Sequence, residues 1–360
     1  MEGAIMKYLI LMALFFLVAC SQPKKGTIRN VTEVVSTDSS PLIEVEGKNF
    51  NIDFLCPQDI ECVDTMLLLF EDYEEVKIKA YGLQSGQLLG NFLRKGGGPD
   101  EVTLFSGFRQ TLNQDSAPQI IIQSYPQYLA VLDLNRTLKE EHTIYEHKFN
   151  FSGNQRNAIF IASNSVYYIN ENTLLLSKDP KRSGKIDDDN IYLELYDYNE
   201  NRVTKSFYAT DLPFIPNASL LYKGAQSLKP DYRKMVLLMY YMPMFSITDI
   251  ETGASRQFFP FGKEADLKKY IDAPGDYYTD AFSTNQRIIA LYKDGFKLEK
   301  RDEPSPSYFH IFDWEGNLLH KIKVKDDIKC FSLNEKTGIV YAALKNDEEI
   351  KQYDIKQYIQ

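Results

Sequence analysis

The sequence predicts an all-β protein, and within that class a six-bladed β-propeller of four-stranded antiparallel blades with its ring closed by an N-terminal strand. Three observations lead there. Past Gly26 no helical periodicity is sustained; short alternating or apolar runs end at turn residues, as in Gln119–Gln123, Val166–Asn170, Met235–Met239 and Arg287–Tyr292. Aromatics make up 13% of the chain, with 24 Tyr and 22 Phe against a single Trp, a surplus that favours strands. And one local pattern, a strand end followed by Asp and a turn residue, returns along the whole chain, which is how blades repeat.

The chain opens on an address rather than on structure. Lys7 precedes the apolar run Tyr8–Ala19, which is too short for the roughly 20 residues a spanning helix needs but suits a secretory h-region. Leu17-Val18-Ala19-Cys20 resembles the lipobox of bacterial lipoproteins, which implies cleavage before Cys20 and lipidation of that residue. Several acyl chains on one Cys give stable anchoring. Ser21 after the Cys implies sorting to the outer membrane, and the tether 20–26 lacks an acidic surface-export cluster, so the protein is expected to face the periplasm. The expected division is a signal peptide 1–19, a lipidated tether 20–26 and a propeller 27–360.

Thr27–Val35 comes next, an extra strand-like segment that a first blade does not need. Pairing it with the strand ending near Ile355 would close the ring and cover an edge. Cys56 and Cys62 lie near each other in sequence around Pro57, so a local disulfide is expected in an oxidising periplasm, with Cys330 left as a buried thiol.

The blades follow. The pattern begins in a degenerate copy at Tyr81–Gly86 and continues at Leu132-Asp133, Tyr196-Asp197, Thr248-Asp249, Phe312-Asp313 and Tyr353-Asp354. From Gly82 to Asp354 the spacing averages about 54 residues, a little above the roughly 40 to 50 of propeller repeats, and six such copies fill the chain from Cys20 onward. A second run follows five of the copies: Gln87–Leu93, Leu138–Ile144, Arg202–Tyr208, Ser255–Phe259 and Leu318–Val324. Each pair reads as the two outer strands of a blade joined by a tight turn, with Asp or Asn bonding its own backbone and Gly supplying φ > 0. The other all-β arrangement, a sandwich beside a second domain, would want a linker in mid-chain, and none is present.

After the first blade stands Gly96-Gly97-Gly98-Pro99-Asp100-Glu101, similar to the G-x-G-P-x-E loop of NHL-type and TolB-like propellers. With the lipobox and six repeats, the chain resembles the TolB-like six-bladed propeller lipoproteins of Gram-negative bacteria. The resemblance implies a structural inter-blade loop at Gly96, Gly98, Pro99 and Glu101, and a fold more than an activity. A phosphate loop would need Lys-Ser/Thr after the glycines, which is absent.

Chemistry is sparse in the sequence. No Gly-x-Ser-x-Gly elbow occurs, and His142, His147, His310 and His320 lack metal spacing. Asp187-Asp188-Asp189 lacks the alternation of a Ca²⁺ loop. No catalytic residue, metal or cofactor is therefore assigned, and the alternative is a lactonase-like or lyase-like propeller enzyme with a metal in its channel. A formal charge of −9 argues against nucleic-acid binding. Function is expected on the loops between second and third strands, where Tyr73, Tyr125, Tyr240, Tyr241 and Tyr292 fall beside the long loops Lys178–Asn190 and Lys293–Ser307. The expectation is a monomeric binding or scaffold module for a peptide, glycan or envelope protein, touching the membrane only through its anchor.

Overall fold

In a computed structural model the chain is described from Thr27 to Gln360, apart from residues 37–39, 99, 115–116, 126, 152, 162, 179–189, 214–222, 264–266, 301–302 and 346–348. The signal, Cys20, the tether, Pro99 and Asp187–Asp189 all lie outside the described residues, as does most of the loop expected at Lys178–Asn190. Six small sheets form a six-bladed propeller. Its inner strands are Asp59–Val63, Thr111–Gln114, Ser163–Asn170, Gly224–Leu228, Gly275–Ser283 and Ile328–Asn334. Strands alternate in direction, so the inter-blade connections and the loops between second and third strands share one face, hereafter the loop face.

Burial on both faces explains the sequence pattern of the blades. In Met66–Phe70 (MLLLF), Leu67 and Leu69 pack toward the sixth blade, while Met66, Leu68 and Phe70 pack toward the second. Such a strand has no solvent side and reads as an unbroken apolar run. The same division recurs around the ring: each of the six apolar clusters joins the facing sides of two neighbouring blades. A fully buried Leu or Phe in them contributes on the order of 2 kcal/mol.

The Asp turns form as the sequence suggests. Asp197 Oδ1 accepts from Glu200 N at 2.9 Å, Asp249 Oδ1 from Thr252 N at 2.6 Å, and Asp313 Oδ1 from Asn317 N at 2.9 Å. Gly253 takes φ +76 in its turn, where a Cβ would press on the Phe207 ring at 3.1 Å. Blade two departs from the pattern. Asp133 Oδ1 accepts from Arg136 N at 3.0 Å and caps a helix, Leu134–Glu140, so the outer strand is Tyr145–Asn150 and not Leu138–Ile144. In blade five the second strand runs on to Lys297, which shortens the loop expected at Lys293–Ser307.

The ring is closed by an N-terminal strand, but by a later one than Thr27–Val35. Lys48–Asn49 pairs antiparallel with Lys351 and Gln352 and supplies the sixth blade's outer strand. Upstream, the chain is a belt around the rim. Ile28 bridges to Phe207 of blade three, Val31–Val35 pairs in parallel with Ser255–Phe259 of blade four, and Leu42–Glu44 pairs in parallel with Lys321–Lys323 of blade five. Val34 and Val45 tuck into the interface clusters, and Glu33 meets Lys263 at 2.6 Å. Thr27–Val35 thus covers blades three and four because the closing position is filled only after the belt has run past blade five.

The cysteines are also a correction. Cys56, Cys62 and Cys330 are free thiols. Cys56 sits in the connection before the first inner strand, where its Sγ accepts from Gln58 Nε2 at 3.3 Å, while Cys62 points into the cluster between blades six and one that also holds Cys330. No helix among the described residues is long and apolar enough to cross a membrane.

Candidate functional site

A cavity of about 880 Å³ runs along the propeller axis, and all six inner strands contribute to its wall. Arg109, Lys223 and Tyr240 line it toward the loop face, and Asn285, Glu335 and Lys336 toward the opposite face. Three carboxyls face it from the inner strands, Asp59 and Glu61 of blade one and Asp280 of blade five.

Both aspartates are fixed by backbone. Asp59 Oδ2 accepts from Phe108 N at 2.7 Å and Oδ1 from Ile60 N at 2.9 Å. Asp280 Oδ2 accepts from Phe331 N at 3.0 Å and Oδ1 from Ala281 N at 2.8 Å. Each carboxyl therefore ties its own strand to the start of the next blade. Burial pushes Asp59 up to about 6, against the opposing pull of Arg109 and the two N–H donors. Burial and then the charge of Asp59 push Asp280 up to about 7. Glu61 is raised well above the usual carboxylate range, first by burial and then by the charges of Asp59 and Asp280. All three are half-buried residues whose open side is the cavity, so water in the channel tempers the desolvation.

Arg109 is exposed to the cavity, and its guanidinium makes no hydrogen bond or ion pair with a described residue. Its charge nevertheless acts on Asp59, Asp280, Tyr167 and Tyr240. Among the described residues, no three His, Cys, Asp or Glu side chains are grouped so as to hold a metal ion.

The five rim tyrosines do not form one surface. Tyr240 lines the cavity, and burial raises its hydroxyl pKa. Its backbone stitches blades four and five, donating to Lys223 O at 2.9 Å and accepting from Tyr277 N at 2.7 Å. Tyr241, its ring 6.2 Å from that of Tyr240, packs instead on the core between blades three and four. Met242 and Met244 are buried in that same core, which accounts for the apolar character of the loop. Tyr125 stacks on Phe160 at 6.0 Å. Tyr292 is buried against His310 at 4.2 Å, inside an aromatic cluster of blade five. Tyr73 stands alone at 81% exposure on the tip of its turn.

The glycine loop after blade one is a turn locked by its own acid. Glu101 Oε2 accepts from Gly98 N at 2.8 Å, and a Cβ at Gly96 would fall 2.0 Å from that oxygen. Close approach of a carboxylate, not φ > 0, is what requires glycine there.

Sequence reasoning missed Asp59, Glu61, Arg109 and Asp280. The available signal was acid placed inside inner strands, Asp-Ile-Glu in Asp59–Val63 and Thr-Asp-Ala in Gly275–Ser283.

By sequence, no family model matches the chain, and no curated protein is similar to it. By structure, it is similar to a member of the DUF4221 family from Bacteroides vulgatus, with a TM-score of 0.54 and 12% identity over 86% of this chain and 98% of that one. A Bacteroides fragilis protein described as exported gives 0.52 and 12%, over 91% of this chain and 99% of the other. Raptor from Chaetomium thermophilum gives 0.50 and 10%, over 86% of this chain and 29% of Raptor. At these identities the likeness establishes the fold.

Proposed function

We propose that the protein is a lipid-anchored envelope propeller that binds a peptide, a glycan or a partner bearing one at the loop-face mouth of its axial channel. The observation that carries this is the cavity itself, polar, lined by every blade, and furnished at that mouth with Tyr240 and with a guanidinium that has no partner among the described residues. Binding sites of this kind combine a concave scaffold with a few placed polar groups. The envelope location rests on Lys7, the apolar run Tyr8–Ala19 and the lipobox ending in Cys20, together with the resemblance to TolB-like lipoproteins. The channel-metal enzyme would draw on the same carboxyls, but among the described residues no three of them are grouped to hold an ion, so binding is the reading the geometry favours.

The test is capture from envelope extract by tagged protein. Tyr240→Ala is expected to weaken capture by about tenfold or more while the variant stays folded, as truncation of a central aromatic anchor does. Tyr73→Ala, at a tip far more exposed, should leave capture unchanged. Because the Tyr240 backbone joins two blades, Arg109→Gln is run alongside it, since that side chain bonds to none of the described residues. Undiminished capture by both folded variants would move the binding site off the channel.

A further inference from the structure

We propose that the channel holds a small zwitterion of the amino-acid or short-peptide kind, its ammonium group seated at Asp59 and Asp280 and its carboxylate on Arg109. This rests on the channel-mouth reading and names the class of ligand.

Opposite charges share the cavity without neutralising each other. Arg109 is near enough to act on both aspartates, yet it bonds to neither. Each aspartate oxygen accepts one backbone N–H and keeps a further lone pair for another donor. A structural salt bridge would have brought guanidinium and carboxylate into contact, because an Arg gains most in a bidentate pair. Leaving them unbonded in one cavity instead suits a molecule that carries both signs. Among the described residues the acids are not grouped as metal ligands, which points to an organic cation.

A second observation is independent of charge. The volume of about 880 Å³ falls within the range of small-molecule sites and leaves room for two or three residues.

Protons enter the exchange. Burial leaves Asp59 and Asp280 partly protonated near neutrality, and an ammonium group displaces that proton. Glu61, Arg109 and Tyr240 interact with the pair, and Lys223, Lys329, Glu335 and Lys336 line the same cavity. Affinity is therefore expected to fall by about tenfold from about pH 7.5 to about pH 5.5, as the aspartates take up protons while the amine stays charged.

The test is calorimetric titration of the whole protein with trialanine, N-acetyl-trialanine and trialanine amide. Trialanine should bind, acetylation should weaken it by about tenfold or more, and amidation should weaken it in the wild type but not in Arg109→Gln. Asp280→Asn should reduce the pH dependence, and Arg109→Gln, which removes no bond to a described residue, guards against loss of folding. Equal binding of all three peptides, or no binding of any to folded wild type, overturns the assignment. If no tripeptide binds while Tyr240→Ala still weakens envelope capture, the ligand class falls and the channel mouth stands; if capture is also unchanged, both fall.

Discussion

Asp327 shows what a buried charge in this fold requires. Lys293 is 8% exposed, and its ammonium donates to Asp327 at 2.6 Å and to Ser307 Oγ at 2.8 Å. Burial pushes the lysine pKa down, and Asp327 is the main force holding it charged. Removing one partner of such a pair leaves the other unpaired in a poor solvent for charge. Asp327→Ala is expected to cost about 3 kcal/mol in urea denaturation, with much of it regained when Lys293→Met is added. An additive double variant would show the pair to be uncoupled. At this scale the sequence was legible where a residue acts on its own neighbours. Asp197, Asp249 and Asp313 cap turns within four residues of themselves, and that chemistry is visible in a string of letters. Asp59 reaches Phe108, and Asp280 reaches Phe331, about 50 residues along in each case. Their role exists only once blades stand side by side, so no local pattern announces it. Cys56 and Cys62 failed as a pair for the complementary reason: nearness in sequence did not survive the direction in which Cys62 leaves its strand.

At the scale of elements, repetition carried most of the fold. The outer strands at Arg202–Tyr208, Ser255–Phe259 and Leu318–Val324 have the bounds their turns imply. Blade two broke the rule because the Asp that opens a tight turn is also a good helix cap, and the residues after Asp133 contain no Gly to force φ > 0. Closure was legible in kind but not in place. The belt strands Val31–Val35 and Leu42–Glu44 are largely exposed and add a fifth strand to sheets that are already complete, whereas Lys48–Asn49 fills a vacant fourth position. Deleting 27–45 should therefore lower the melting temperature by about 5 °C or less, and deleting 27–50 by at least about twice that. Equal losses from the two deletions would mean that the belt, rather than the closing strand, holds the ring.

As a whole molecule the propeller is six similar interfaces arranged in a circle, and the middle strands of every blade bury both faces against its neighbours. The cluster between blades six and one, with Ile60, Leu67, Tyr341 and Ile350, makes the circle complete. The anchor is tested at this scale. Exchanging residues 1–20 for a cleavable secretory signal without the Cys should move the protein from washed membranes to the soluble fraction, and persistence on membranes would refute lipid attachment. The belt adds a mechanical consequence. Any tension applied to the chain ahead of Thr27 first meets Ile28 at the edge of blade three, then the ladders on blades four and five, and only afterwards the strand that closes blade six. These contacts are loaded in series, so each must peel before the next bears force. A tug on the N-terminal side is spent on expendable rungs around the rim, and the channel keeps its shape until they are gone.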